Sequence, residues 1–129
     1  MTHRFTCRVY YEDTDLAGLV YYANYLKFIE RARSEWVREL GIDQRRMKAD
    51  EGTVFAVRRI EADYLSPARF DDLLTVTTQI EAATPARLTL WQEVTRDGAV
   101  LFTARVTLVA IGGNGRPTRL PVALQHFIG

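Results

Sequence analysis

Hydrophobic and polar residues alternate along the first part of the chain and later recur at helical spacing. Phe5 to Tyr11 alternate with a period of two, which favours a β-strand. After a polar interruption, six apolar residues recur every three or four positions, which is typical of a helix with one buried face. They are Tyr25, Phe28, Ile29, Ala32, Trp36 and Leu40. The spacing predicts a helix that begins around Tyr21 to Asn24 and ends at Gly41, where glycine supplies the positive φ of a C-terminal cap.

The second half of the chain predicts a short helix followed by four strands. Asp43 is expected to cap the short helix, which ends near Gly52. The four strand signals cover residues 53–65, 74–81, 88–94 and 99–111. A change of phase near Arg58 predicts a β-bulge in the first of them. Asp97-Gly98 predicts a tight hairpin before the last strand, and the residues after 111 are expected to form a tail.

This order of elements predicts an α+β domain that spans residues 1–129. We expect an antiparallel sheet of five to six strands wrapped around the one long helix, since the apolar face of the sheet needs one amphipathic partner. The strand over 99–111 carries apolar residues on both faces, which favours pairing or packing against another subunit.

Composition narrows the class of protein. Of the 129 residues, 47% are hydrophobic and 26% are charged, which is typical of a soluble globular protein. A formal net charge of +1 argues against nucleic-acid binding, which needs a basic face. No signal peptide and no membrane-spanning run is apparent, so we expect a cytoplasmic protein with no integral membrane segment. The one cysteine, Cys7, is interpreted as a packing residue.

Neither a metal site nor an organic cofactor is expected. His3 and His126 lie near opposite ends of the chain, without a metal-ligand spacing. The sequence has no P-loop and no Gly-rich dinucleotide motif. Gly112 to Gly115 precedes Arg116-Pro117 and is interpreted as a turn.

The segment from Tyr11 to Tyr25 is the part of the chain least explained by folding. Two carboxylates, Asp13 and Asp15, flank one threonine, and Gly18 follows just before an aromatic run. A carboxylate at the start of a helix, with a glycine that allows close backbone approach, suits a reactive site. The alternative is that both aspartates are turn and cap residues, and the pattern alone does not choose between the two.

This segment and the order of elements resemble the hot-dog-fold acyl-CoA thioesterases. The resemblance is to the branch that includes 4-hydroxybenzoyl-CoA thioesterase and the Tol-Pal-associated acyl-CoA thioesterases. The matching residues are Tyr10 to Asp15, Gly18, Val20-Tyr21, Asn24-Tyr25, Glu30 to Glu35, Phe55 to Arg59 and Tyr64 to Leu74. The resemblance covers almost the whole chain and implies hydrolysis of an acyl-CoA substrate to coenzyme A and a carboxylic acid.

The resemblance also implies which groups are catalytic. The second aspartate of the motif is the catalytic carboxylate in that family, which implies Asp15 here. The backbone N–H that polarises the thioester carbonyl falls on Tyr22, at the start of the central helix. Asp15 would act either as a general base or as a nucleophile, and both roles stay open. Gly18 would leave room for the thioester, while Asp13 is assigned to structure.

Two arginines are candidate substrate contacts. Arg58 and Arg59 lie beside the predicted bulge, and their guanidinium groups suit the phosphates of coenzyme A. The alternative is that Arg59, with Glu61 and Asp63, lines a solvated strand face.

The Tol-Pal-associated enzymes generally carry a histidine at the position of Tyr22, so here the carboxylate and the backbone amide are expected to suffice.

A homodimer or homotetramer is predicted, with each site at a subunit interface. Two other functions stay open. One is an acyl-thioester hydratase or dehydratase of the same fold, which normally needs a histidine beside a carboxylate. The other is a non-catalytic protein that binds acyl thioesters or acyl carriers.

Overall fold

The computed structural model describes residues 2–128, which form one antiparallel sheet and a long helix with two shorter ones. The strands are β1 (Thr2–Arg8), β2 (Val54–Tyr64), β3 (Leu73–Ala83), β4 (Arg87–Arg96), β5 (Ala99–Ile111) and β6 (Pro117–Thr118). The α-helices are α1 (Asn24–Glu39), α2 (Gln44–Glu51) and α3 (Val122–Gln125). Neighbouring strands follow the order β1-β3-β4-β5-β2, with β6 beside the end of β5. The predicted α+β architecture is confirmed.

The core lies between α1 and one face of the sheet. The helix buries one side of its surface, because its apolar residues recur at helical spacing. Phe28, Ile29 and Ala32 are fully buried there. The helix packs mainly over β1, β3 and β4, so the β2 side of the sheet is less covered.

The predicted ends of α1 at Gly41 and of α2 near Gly52 are confirmed. Gly41 has a φ of +85°, and its N–H donates to the carbonyl of Arg38 at 3.0 Å. The N–H of Ile42 donates to the carbonyl of Val37 at 3.3 Å. This pair of hydrogen bonds is the Schellman motif. Asp43 caps α2 by accepting a hydrogen bond from the backbone of the first helical turn.

Two predictions about the ends of the chain are wrong. The first strand covers Thr2–Arg8 rather than Phe5 to Tyr11, because the chain leaves the sheet and forms a 3-10 turn over Tyr11–Asp13. The segment after 111 is not a loose tail. It adds β6 to the sheet and places Leu120 and Leu124 in the core.

Residues 99–111 do not pair edge to edge with another subunit, while packing of this strand against another subunit stays a prediction. β5 lies between β4 and β2 in the sheet, so both of its edges are already paired. Within residues 2–128, the two ends of the sheet are β1 and β2. The predicted bulge is confirmed, since the register of β2 against β5 shifts between Val57 and Arg59.

Along residues 2–128, no helix is long and apolar enough to cross a membrane. The same residues contain no cluster of three or more His, Cys, Asp or Glu side chains that could hold a metal ion. A cytoplasmic location stays a prediction.

Candidate active site

The loop between β1 and α1 is fixed to the start of the helix by Asp13. This side chain is buried. Its Oδ2 accepts a hydrogen bond from the N–H of Tyr10 at 2.8 Å, and its Oδ1 accepts one from Nδ2 of Asn24 at 2.5 Å. Its backbone carbonyl accepts from the N–H of Tyr21 at 2.9 Å. The structural role predicted for Asp13 is therefore confirmed.

Asp15 lies in a tight hairpin whose backbone N–H groups bind only one of the two carboxylate oxygens. Its N–H donates to the carbonyl of Leu19 at 2.8 Å. Its Oδ1 accepts hydrogen bonds from the N–H groups of Ala17 and Leu19, at 2.9 and 3.2 Å. Oδ2 has no partner among the described residues, and the residue is exposed. Two backbone donors thus orient the carboxylate and leave one oxygen for a ligand.

Gly18 makes this hairpin possible. Its N–H donates to the carbonyl of Asp15 at 3.0 Å, and its φ is +78°. A Cβ at this position would meet nothing within 4 Å. The backbone conformation, rather than close packing, therefore requires glycine. Gly18 itself is outside the set of residues that line the cavity described below, and its role as a thioester contact stays a prediction.

The backbone at the start of α1 has unused donors. The N–H of Asn24 donates to the carbonyl of Tyr21 at 2.8 Å, and that of Leu26 donates to the carbonyl of Ala23 at 3.2 Å. Within residues 2–128, the N–H groups of Tyr22 and Ala23 have no acceptor. Unbonded N–H groups at a helix N-terminus carry the positive end of the helix dipole, so they suit an oxygen that gains negative charge.

Asp15 and Tyr22 line the same cavity, whose volume is about 470 Å³. The other lining residues are Leu19, Val20, Tyr21, Tyr25, Tyr64, Leu65, Ser66 and Pro67. The wall is mostly aromatic and aliphatic, with the carboxylate on one side. The fold therefore brings together the two residues that the sequence singled out as catalytic.

Tyr64 is a cavity residue that sequence reasoning did not identify. Its hydroxyl donates to the backbone carbonyl of Tyr22 at 2.9 Å. Its ring makes edge contacts with Tyr25 and Phe102, with centroids 5.6 and 5.0 Å apart. Burial, together with the nearby Tyr22 and Tyr25 hydroxyls, raises the pKa of Tyr64, so the hydroxyl stays protonated at neutral pH. The sequence did contain a signal for this residue. Tyr64 alternates with Ala62 along β2, and this pattern places it on the helix side of the sheet.

Arg58 and Arg59 lie on β2, away from this cavity. Both are exposed, and Nε of Arg59 is 3.4 Å from Oε1 of Glu61. That contact matches the solvated-face alternative for Arg59. The strand between Arg58 and Tyr64 is about 20 Å long, and neither arginine lines the cavity. Their role in phosphate binding stays a prediction.

The two histidines are also distant from the cavity. Nε2 of His3 is 3.2 Å from Oε2 of Glu39, and the ring of His126 lies against Phe127 with centroids 4.0 Å apart. Neither histidine lines the Asp15 cavity in the described part of the chain. A histidine–carboxylate pair of the kind expected for a hydratase is not formed with Asp15 there.

Comparisons with known proteins identify the family and the fold of the chain. The family model of the thioesterase-like superfamily matches residues 9–128. The acyl-CoA thioesterase YbgC of Haemophilus influenzae is 37% identical over 118 residues, which cover 91% of this chain and 87% of that relative. A probable thioesterase from Bartonella henselae superposes with a TM-score of 0.90 at 39% identity, over 94% of this chain and 100% of that chain. A 4-hydroxybenzoyl-CoA thioesterase superposes with a TM-score of 0.91 over 99% of both chains, but its 20% identity shows the fold alone.

Proposed function

The chain belongs to the thioesterase-like superfamily, and we propose that it hydrolyses an acyl-CoA thioester to coenzyme A and a carboxylic acid in the Asp15 cavity. The observation that carries the proposal is the meeting of two groups in one cavity. These are the Asp15 carboxylate, which has one unused oxygen, and the unbonded N–H of Tyr22. Similar proteins named as acyl-CoA thioesterases support the reaction class.

The start of α1 stabilises the charge that the reaction creates. Attack on a thioester carbonyl moves negative charge onto the carbonyl oxygen. The N–H of Tyr22 donates to that oxygen, and the helix dipole adds to its effect without any rearrangement. Loss of such a donor typically costs about 3–4 kcal/mol of barrier lowering. Because the donor belongs to the backbone, substitution of the Tyr22 side chain leaves it in place.

The Asp15 carboxylate carries out the bond-forming step in one of two ways. As a general base, Oδ2 takes a proton from water while the water oxygen attacks the carbonyl carbon. As a nucleophile, Oδ2 attacks that carbon and forms an anhydride, which water then cleaves. In both routes the carbon–sulfur bond breaks and the thiolate of coenzyme A leaves. The N–H groups of Ala17 and Leu19 hold Oδ1, so Oδ2 keeps a fixed direction.

The oligomer we propose is a homodimer formed through the edge of β2. Val57, Tyr64 and Leu65 on this side of the sheet are 45%, 50% and 60% exposed. Antiparallel pairing of two β2 strands sets the Val54 end of one beside the Tyr64 end of the other. Such pairing is centred on Arg59 and places the partner's Arg58 opposite Ile60, so this arginine lies nearer to the Asp15 cavity than the protomer's own Arg58. In this arrangement Arg58 and Arg59 bind the phosphates of coenzyme A across the dimer interface.

The catalytic assignment is tested with Asp15→Asn. The assay follows release of free thiol from acetyl-, lauroyl- and benzoyl-CoA, with Asp50→Asn on the exposed surface of α2 as the matched control. We expect Asp15→Asn to lower kcat by about 10²–10⁴-fold while the protein stays folded. The control should retain full turnover. Near-normal turnover of Asp15→Asn would contradict the assignment.

The dimer and the arginines are tested together. We expect a particle of twice the chain mass by light scattering. The variant Arg58→Ala/Arg59→Ala should raise KM for an acyl-CoA about tenfold, on the scale of one lost charge-assisted contact. The same variant should not change KM for the matching acyl-pantetheine thioester, which lacks the phosphates. An active monomer would contradict the dimer, and equal KM changes for the two thioesters would contradict phosphate binding.

A further inference from the structure

A hydroxyl group on β2 holds the backbone of Tyr22, the residue that supplies the proposed oxyanion donor. The Tyr64 hydroxyl donates to the carbonyl of Tyr22 at 2.9 Å. The carbonyl and the N–H of Tyr22 are separated only by the two backbone dihedral angles of that residue. A contact that fixes the carbonyl therefore restricts the rotations that would turn the N–H away from the cavity.

We propose that Tyr64 is a positioning residue for thioester hydrolysis, because its hydroxyl holds the backbone of Tyr22, whose N–H donates to the developing oxyanion. The inference rests on the function proposed above and adds a residue to it. Tyr64 does not touch the reacting atoms. It acts through the backbone that does.

The Tyr22 carbonyl is available because α1 does not use it. In a regular helix this carbonyl would accept from the N–H four residues later, which is that of Leu26. The N–H of Leu26 donates instead to the carbonyl of Ala23 at 3.2 Å. The Tyr64 hydroxyl supplies the missing donor.

The Tyr64 ring is held by its neighbours, which makes the hydroxyl a fixed support. Its centroid lies 5.6 Å from that of Tyr25 and 5.0 Å from that of Phe102, and both of those side chains are buried. Tyr25 is held in turn, since its hydroxyl accepts from the N–H of Ala68 at 2.9 Å. Few rotamers of Tyr64 satisfy these contacts, so little side-chain freedom opposes the hydrogen bond to Tyr22.

The test compares Tyr64→Phe with Tyr11→Phe. Tyr64→Phe removes the hydroxyl and keeps the ring contacts, while Tyr11→Phe removes a hydroxyl from a residue that is 84% exposed and outside the cavity. We expect Tyr64→Phe to lower kcat about tenfold, on the scale of one hydrogen bond, and to leave KM within about twofold. Tyr11→Phe should change neither. Unchanged kcat in Tyr64→Phe, or a raised KM with kcat unchanged, would overturn the proposal.

A second measurement separates positioning from simple loss of stability. Acetyl-CoA labelled with ¹³C at the thioester carbonyl is bound to Asp15→Asn and to Asp15→Asn/Tyr64→Phe, and the carbonyl stretch is recorded by infrared difference spectroscopy. We expect binding to lower the stretching frequency less in the double variant, because one donor is misaimed. Equal frequencies would reject the role of Tyr64.

The outcomes also keep the two proposals apart. A wild-type protein that releases no thiol from any of the tested acyl-CoA compounds would reject the proposed function itself, and Tyr64 with it. A wild-type protein that turns over, alongside Tyr64→Phe with the same kcat, would reject only the positioning role.

Discussion

The Asn24 side chain, at the first residue of α1, donates a hydrogen bond of 2.5 Å to the Asp13 carboxylate. Both residues are buried. The second Asp13 oxygen is also occupied, by the N–H of Tyr10 at 2.8 Å. Asp15, two positions later, keeps one oxygen without a partner among the described residues. One short segment therefore contains a carboxylate committed to the fold and another available for chemistry.

The first prediction concerns the structural aspartate. Asp13→Ala leaves the buried Asn24 amide and the partly buried Tyr10 N–H without their acceptor, so we expect the free energy of unfolding to fall by about 1–3 kcal/mol. Urea unfolding measures this change. Asp15→Asn, in an exposed position, should unfold near the wild-type midpoint. Equal midpoints for Asp13→Ala and wild type would contradict the assignment of Asp13 to structure.

The second prediction separates the conformational role of Gly18 from a role in binding. Gly18 and Gly115 both have a φ of +78°, and a Cβ would meet nothing within 4 Å at either position. We expect Gly18→Ala and Gly115→Ala each to lower the free energy of unfolding by about 1–2 kcal/mol, since both place a side chain in the left-handed region. Only Gly18→Ala should alter KM for acyl-CoA. Equal KM values for the two variants would contradict a thioester contact at Gly18.

A third prediction concerns a buried polar group under α1. Arg33 is only 9% exposed, and its Nη1 donates to Oε1 of Gln92 at 3.1 Å. Nε2 of Gln92 donates to the carbonyl of Ile29 at 3.0 Å and to Oγ1 of Thr78 at 2.8 Å. Burial lowers the pKa of Arg33, while the charge of Glu30 opposes this shift. The cation therefore depends on Gln92 for its buried hydrogen bond.

Gln92→Leu removes that acceptor, and we expect it to lower the free energy of unfolding by about 2–3 kcal/mol. Arg33→Met removes the charge that needs this acceptor. The double variant should therefore lose less stability than the sum of the losses in the two single variants. A double-mutant cycle from urea unfolding should give a coupling of about 1–2 kcal/mol. Additive effects would show that Arg33 does not depend on Gln92.

The fourth prediction concerns the cysteine. Burial raises the pKa of Cys7 to about 11, with the charge of Arg31 opposing and that of Asp13 adding to the shift. The thiolate is the reactive form, so at pH 8 the native thiol should react with iodoacetamide about 10²-fold more slowly than in urea-unfolded protein. A labelling rate equal to that of the unfolded chain would contradict this.

The same shift has a consequence for stability. The folded-state pKa of Cys7 lies above its ordinary value of 9.0. The contribution of the protonated thiol is therefore fully present below about pH 9 and is lost as pH rises toward about 11. As pH rises across this window, the free energy of unfolding should fall less in Cys7→Ser than in the wild type. The urea midpoints of both proteins at pH 8 and pH 10.5 provide the measurement.

The sequence by itself determined the elements that depend on nearby residues. The helical spacing of Phe28, Ile29 and Ala32 predicts α1, and Gly41 ends it, because capping uses hydrogen bonds within one turn. The bulge near Arg58 was visible as a change of phase along one strand. The resemblance of a short motif singled out Asp15 and Tyr22, which the fold brings to one cavity.

Only the tertiary structure decided which groups are used by the fold and which are left over. The occupied oxygens of Asp13 and the single unused oxygen of Asp15 follow from contacts with Tyr10 and Asn24 on one side and a local hairpin on the other. Tyr64 reaches the carbonyl of Tyr22 across 42 positions of sequence. Strand order fixes such contacts, and strand order is set by packing of the whole sheet against α1, which no local pattern contains.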